Sequence, residues 1–309
     1  MPTALSRVAE RTWRPGFPCE VGAVLAPLRR GSGDPTYQVD GGCVWRASRT
    51  PDGPGTLRLR EDRATGVVRA AAWGPGGDWL LHRLPAMLGA SDDPDGFAPE
   101  HPLLREALRR HPGWRVPATG LVFEALVAAA LEQKVTGQEA WRGWRTLLRR
   151  YGEPAPGPGE RRGMRVLPTP AQVRAIPSWE WLRCHVDPAR SKVVVRAARV
   201  ADGLERTVGL PGVEVERRLR SLPGVGVWTA AEVRQRAHGD SDAVSFGDYH
   251  VAKNIGWTLT GTPTDDAGLA ELLAPYRPHR YRVQRLVEMV GGGPPRRGPR
   301  MPSRRHLPR

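Results

Sequence analysis

The chain has 309 residues, which suits two or three small domains or one large one and is ample for a buried core. Its formal net charge is +15, carried mostly by arginine, and a charge of this size indicates an anionic partner, either nucleic acid or a membrane surface. No run of about 18 apolar residues occurs and the first residues lack a signal-peptide core, so we expect no membrane-spanning segment and no export. The three cysteines are scattered, which argues against a disulfide framework and against a zinc or iron–sulfur site.

Residues 1–100 predict a small α+β domain. Residues 1 to about 35 carry no clear pattern, and we expect them to be loosely structured. Alternation of apolar and polar residues predicts antiparallel strands within about 37–73, with turn residues at 51–55 between the first two. Apolar residues at helical spacing predict a short helix over 78–88, and an Asp-, Pro- and Gly-containing linker follows it.

From residue 101 to about 290 the pattern is helical. The segment 121–135 is the most apolar helix and should be buried, whereas 153–163 is a Pro- and Gly-rich loop. Asp187 followed by a proline predicts the start of a helix that carries Lys192, Arg196 and Arg199. Residues 291–309 are basic and of low complexity, which predicts a disordered tail with non-specific affinity for nucleic acid.

A glycine-containing turn separates two amphipathic segments within 213–237. The turn consists of Leu222, Pro223, Gly224, Val225 and Gly226. Glycine allows the backbone to turn sharply and to come close to a ligand, and the second helix begins with unpaired N–H groups and its positive dipole end. The pattern therefore predicts a phosphate site that ignores base sequence, although the same turn could serve packing alone.

The residues after this turn carry a family resemblance. Trp228-Thr229-Ala230 follow the turn directly, and Phe246-Gly247-Asp248-Tyr249 follow after a polar break. With the turn, they resemble the helix-hairpin-helix DNA glycosylase superfamily, most closely its alkylated-base branch, DNA-3-methyladenine glycosylase II. The resemblance covers about residues 115–290. It implies an α+β fold in which a mainly helical core, with hairpin 213–237 and catalytic loop 240–250, follows a small antiparallel β-sheet domain.

The resemblance also implies roles for residues in the loop and the second helix. Asp248 would be catalytic, because a carboxylate near C1′ stabilises an oxocarbenium-like sugar or orients a water. Trp228 stands where strand-cutting members have a lysine, which implies a monofunctional enzyme, and with Tyr249 it would bind the damaged base. The alternatives are that Asp248 is only a helix N-cap and that Trp228 only packs the hairpin.

DNA contacts are implied for the hairpin and for the loop after the most apolar helix. The residues concerned are Leu222, Pro223, Gly224, Val225, Gly226, Val227, Thr229, Gln133 and Lys134. Lys134 stands at the position of a strand-wedging side chain that is often bulkier in relatives, and Glu288 stands near a position that is often aromatic. Neither a cofactor nor a metal held by side chains is expected, although relatives often bind a monovalent cation on the hairpin carbonyls.

The sequence therefore predicts a monofunctional DNA glycosylase of base excision repair. It would flip alkylated purines such as 3-methyladenine out of double-stranded DNA and hydrolyse the N-glycosidic bond, leaving an abasic site. The alternatives are a glycosylase of the same fold for oxidised or mismatched bases and a non-catalytic protein that binds damaged DNA. We expect a cytoplasmic, nucleoid-associated monomer that does not contact a membrane.

Overall fold

The computed structural model describes residues 8–295, in which an antiparallel sheet precedes a body of helices. The five strands of the sheet lie in the order β1-β5-β4-β3-β2, and every neighbouring pair is antiparallel. A separate two-stranded ribbon pairs β6 with β7. The strands are β1 Val8–Trp13, β2 Tyr37–Asp40, β3 Cys43–Thr50, β4 Gly53–Asp62, β5 Val67–Trp73, β6 Glu153–Pro154 and β7 Arg165–Val166.

Fifteen α-helices occur in the described part of the chain, mostly after the sheet. They are α1 Val21–Leu25, α2 Gly77–Met87, α3 Pro102–Arg110, α4 Val122–Glu132, α5 Gly137–Tyr151, α6 Pro158–Arg161, α7 Pro170–Ala175, α8 Ser178–Arg183, α9 Pro188–Arg199, α10 Ala201–Glu205, α11 Gly212–Arg220, α12 Val227–Val233, α13 Val251–Thr260, α14 Asp266–Leu273 and α15 Arg280–Val290. A π-helical stretch, Arg234–His238, continues α12 directly. The α+β class predicted from the sequence is confirmed.

One face of the sheet packs on α2. Leu57, Leu59 and Val68 form a single buried cluster with Leu80 and Leu84 of that helix. Residues 1–7 lie outside the described residues. From Val8 on, the expectation of a loosely structured chain before residue 35 was wrong, since β1 runs along β5 at the sheet edge and α1 follows it. Six residues of weak alternation carry little signal, and the strand forms because a partner far along the chain offers its edge.

The helical body is organised around α4, whose residues are nearly all buried. Residues of α9 and α12 lie with α4 in one hydrophobic cluster, so the helix is enclosed on several sides. The sequence placed the end of this helix at residue 135, but it stops at Glu132, because Gln133 is already extended. The burial predicted from its composition is confirmed.

The sheet and the helical body are joined by buried polar contacts and by the β6–β7 ribbon. Arg46 of β3 pairs with Glu124 of α4, and Arg282 of α15 pairs with Asp92 at 2.7 Å, with both side chains almost wholly buried. The segment 153–163, predicted as a loop, contains α6 and packs with the β6–β7 ribbon on Trp45. Residues 296–309, most of the predicted tail, lie outside the described residues. Between residues 8 and 295, no helix is both long and apolar enough to cross a membrane.

Candidate active site and DNA-binding hairpin

The hairpin turn joins α11 to α12 and contains two glycines with different backbone requirements. Gly224 has a φ of +95°, where a side chain would be strained, and an added Cβ would lie 2.5 Å from Cγ2 of Val193 on α9. Gly226 has a φ of −91° and a ψ of −175°, which any residue adopts, and an added Cβ would meet no atom within 4 Å. The first glycine therefore serves the fold, whereas the second leaves open space in front of the turn.

The side chains of the hairpin divide into an exposed group and a buried group. Pro223 and Val227 are exposed together with both glycines. Val225 and Thr229 are 5% and 3% exposed, so of these two residues only the main chain could reach a phosphate. No side chain caps the N-terminus of α12, which leaves its first N–H groups and its positive dipole end beside the exposed part of the turn.

Gln133 fastens the hairpin to the end of α4. Its side-chain amide donates to the carbonyl oxygen of Gly224 and to the hydroxyl of Thr229, both at 2.9 Å. Its neighbour Lys134 is exposed and has a φ of +54°, which places the lysine at the tip of a tight turn. The structure thus brings Gln133 to the hairpin as a support, and it leaves the Lys134 side chain facing solvent.

Asp248 and Trp228 are brought into direct contact. The indole Nε1 of Trp228 donates to Oδ2 of Asp248 at 3.1 Å, while Oδ1 accepts from the backbone N–H groups of His250 and Val251 at 2.7 and 3.1 Å. Asp248 therefore does satisfy donors at the start of α13, as the capping alternative required. A carboxylate oxygen accepts two hydrogen bonds, so Oδ2 keeps one acceptor position for a further ligand.

Tyr249 lies beside Asp248 but does not enclose Trp228. Its side chain is 74% exposed, and its ring contacts are with His250 and with the ammonium group of Lys253, 3.8 Å from the ring centroid. Within residues 8–295, no ring contact joins Tyr249 to Trp228. Of the two residues predicted to bind the base, Trp228 is thus half-buried and bonded to Asp248, whereas Tyr249 is exposed.

A buried polar network supports the loop that carries Asp248. The hydroxyl of Ser245 donates to Glu232 at 2.7 Å and accepts from the amides of Gln235 and Gln284 at 2.8 and 3.2 Å. The backbone N–H of Ser245 donates to Gln284, and its carbonyl oxygen accepts from Asp248 N. Burial raises the pKa of Glu232, although the nearby Arg236 opposes this shift. The loop is thereby tied to both α12 and α15.

Two further contacts of this region escaped the sequence interpretation. Asp242 forms a two-pronged ion pair with Arg280, at 2.8 and 2.7 Å. Glu288 accepts from Gln284 and Arg285, which connects it to the Ser245 network. The spacing of four residues between Trp228 and Glu232 could have suggested a shared helix face. The partners on α15, Arg280 and Gln284, could not be predicted from local spacing, because they lie far along the chain from the loop.

The hairpin carbonyls considered for a monovalent cation already have protein donors at two positions. The carbonyl oxygen of Pro223 accepts from Arg196 at 3.0 Å, and that of Gly224 accepts from Gln133. In the part of the chain that the structure describes, no group of three His, Cys, Asp or Glu side chains is arranged to hold a metal ion.

No family model matches the chain. A Mycobacterium tuberculosis protein described as a probable bifunctional transcriptional activator/DNA repair enzyme AlkA is 31% identical over 195 residues, which are 60% of this chain and 37% of the relative. The chain thus matches little more than a third of the length of that curated relative.

Solved structures resemble nearly the whole chain. The 3-methyladenine DNA glycosylase from Archaeoglobus fulgidus has a TM-score of 0.74 at 15% identity, covering 90% of this chain and 97% of that one. The Clostridium acetobutylicum 8-oxoguanine glycosylase/lyase has a TM-score of 0.69 at 12% identity, covering 93% and 99%. The resemblance inferred from the motifs is confirmed: the chain has the helix-hairpin-helix DNA glycosylase fold, and its similarity in sequence is to the alkylated-base branch.

Proposed function

We propose that this protein is a monofunctional DNA glycosylase that releases alkylated purines from double-stranded DNA. Its substrate class would be bases such as 3-methyladenine, which carry a positive charge. It would act as a monomer in base excision repair, in the compartment that holds the DNA. The observation that carries the proposal is the contact between Trp228 and Asp248, because it places an aromatic ring, which attracts cations, beside a carboxylate.

The reaction needs little from the protein beyond this pair. In the flipped nucleotide the N-glycosidic bond breaks, its electron pair leaves with the base, and the positive charge of the base is neutralised. The sugar then carries the charge at C1′ until a water oxygen bonds there and releases a proton. Asp248 would stabilise that charge or orient the water through the acceptor position left on Oδ2.

The indole of Trp228 determines the expected outcome for the DNA strand. Strand cleavage requires an amine that attacks the sugar and forms a Schiff base, and an indole N–H cannot do this. Trp228 would instead stack on the cationic base, with the exposed Tyr249 as a second aromatic contact. We therefore expect an abasic site as the product and no strand break.

The hairpin would hold the DNA backbone next to the lesion. The uncapped N-terminus of α12 and the open space before Gly226 would accept a phosphate, and Gln133 would keep the turn in place. Lys134, exposed at the tip of its loop, would contact the strand from which the base is flipped. These contacts would be independent of base sequence.

The second candidate is a glycosylase for oxidised bases, and it is favoured by one observation only. The fold is shared with an 8-oxoguanine glycosylase/lyase, so the fold does not separate the two activities. The tryptophan next to the carboxylate supports the first candidate, because a neutral oxidised base would gain less from an aromatic face than a cationic base does.

The test is base release from alkylated duplex DNA by the native protein and by Asp248→Asn. Removing the negative charge should slow release about 100-fold or more, as is typical when an electrostatic contact to the transition state is lost. Asp202→Asn is the matched control, because Asp202 is exposed on α10 and makes no ion pair within the described residues. It should release base at the native rate.

The products distinguish the candidates. Release of alkylated purines by the native protein, with intact strands until alkali is added, would support the proposal. Release of 8-oxoguanine together with a strand break would favour the second candidate. Tight binding of damaged duplex without any release would refute both and leave a protein that only binds damage.

A further inference from the structure

Helix α9 lies directly beside the hairpin turn. Val193 fills the space behind Gly224, at 2.5 Å from the position of an added Cβ. One turn further along the helix, Arg196 donates to the carbonyl oxygen of Pro223 at 3.0 Å. The exposed residues of α9 that precede and follow Val193 along the chain therefore lie next to the exposed part of the hairpin.

That surface carries a stripe of basic residues, which we call the α9 stripe: Lys192, Arg196 and Arg199. All three are exposed, and spacings of four and then three residues place them on one side of the helix. Within residues 8–295, none of the three forms an ion pair with a carboxylate.

The arginines of α11, the first helix of the hairpin, do form ion pairs with carboxylates. On α11, Arg217 and Arg218 both pair with Glu214, at 2.7 and 2.6 Å, and Arg220 pairs with Glu216 at 2.9 Å. Each of these three arginines of α11 thus has a carboxylate partner on its own helix. The charges of the α9 stripe have no carboxylate partner within the described residues, so they can interact with an anionic ligand.

We propose that Lys192 and Arg196 form a second phosphate-binding element, which holds phosphates next to the one at the hairpin turn. Arg196 donates to an uncharged carbonyl group, so its positive charge is not cancelled by the bond that fixes its position. Lys192, four residues earlier, lies about 5–6 Å away along the same side of the helix. The ligand is the sugar–phosphate backbone of duplex DNA, bound without regard to base sequence.

This assignment rests on the proposed function only in taking DNA as the partner. It is tested by binding undamaged duplex DNA over a range of KCl concentrations, a measurement that needs no base release. DNA affinity falls as the salt concentration rises. Each phosphate contact that is lost should make the plot of log affinity against log salt less steep by about 0.9. Lys192→Gln and Arg196→Gln should each show this decrease, together with weaker binding at low salt.

Two further variants separate charge from structure. Arg196→Lys keeps the charge and should keep most of the slope, even if the bond to Pro223 is altered. Arg149→Gln is the matched control, because Arg149 is exposed near the end of α5 and unpaired within the described residues. Arg149 lies twelve residues, or about 18 Å of helix, beyond Gly137, the end of α5 that follows the loop of Gln133 and Lys134. Its slope should equal the native one.

The outcomes distinguish this assignment from the proposed function. An unchanged slope for Lys192→Gln and Arg196→Gln would overturn the role of the α9 stripe and leave base release untouched. An equal decrease in Arg149→Gln would also overturn it, because the effect would then follow net charge alone. A decrease confined to the α9 variants, in a protein that releases no base, would uphold the α9 stripe and refute the proposed function.

Discussion

The two glycines of the hairpin turn allow a folding role and the proposed DNA-binding role to be separated by a pair of substitutions. Gly224→Ala introduces a Cβ at a φ of +95° and 2.5 Å from Val193. Gly226→Leu introduces a larger side chain where the backbone is extended and no atom lies within 4 Å. The first change should affect stability, and the second should affect DNA binding.

The expected magnitudes follow from this geometry. A non-glycine residue in a sparsely populated backbone region costs about 1–3 kcal/mol, and the contact with Val193 adds to it at Gly224. A surface substitution without strain, as at Gly226, should stay within about 0.5 kcal/mol. The leucine would keep a phosphate away from the first N–H groups of α12, and loss of that contact should weaken DNA binding about tenfold, or about 1.4 kcal/mol.

The assays are urea unfolding and binding of several duplexes of unrelated sequence. Gly226→Leu should unfold like the native protein and bind every duplex more weakly by the same factor. Gly224→Ala should lower the free energy of unfolding. Native affinity in Gly226→Leu would refute the phosphate site at the turn, and a loss limited to one DNA sequence would show that the turn contacts bases.

Two further predictions concern stability. Asp92→Ala leaves Arg282 unpaired where its side chain is 1% exposed, and it should lower the free energy of unfolding by about 3–5 kcal/mol in urea denaturation; a loss below about 1 kcal/mol would contradict a tightly coupled ion pair. Burial lowers the pKa of His238 from its ordinary 6.5 to about 4, so the unfolded chain binds a proton there before the folded chain does. Stability should therefore fall as the pH drops from 6.5 towards 4, by about 2 kcal/mol at pH 5 from this group. His238→Gln should flatten that part of the pH profile, and an unchanged slope would place the acid sensitivity elsewhere.

The sequence determined those features whose partners are close along the chain. The helix capped at Asp187, strands β2 to β5 and the apolar helix α4 all follow from local spacing. The turn 222–226 and the interval from Trp228 to Asp248 were sufficient to identify the fold family. The pairing of the α11 arginines also follows local spacing, because Glu214 precedes its two partners by three and four residues.

The tertiary structure decided those features whose partners are far apart. The first strand forms only because β5 offers an edge more than fifty residues away, and Gln133 reaches Gly224 and Thr229 across 91 and 96 residues. The different roles of Gly224 and Gly226 depend on what stands behind each of them, which neither glycine encodes. The sequence also does not show that the charges of the α9 stripe are unpaired, because folding determines which side chains lie near them.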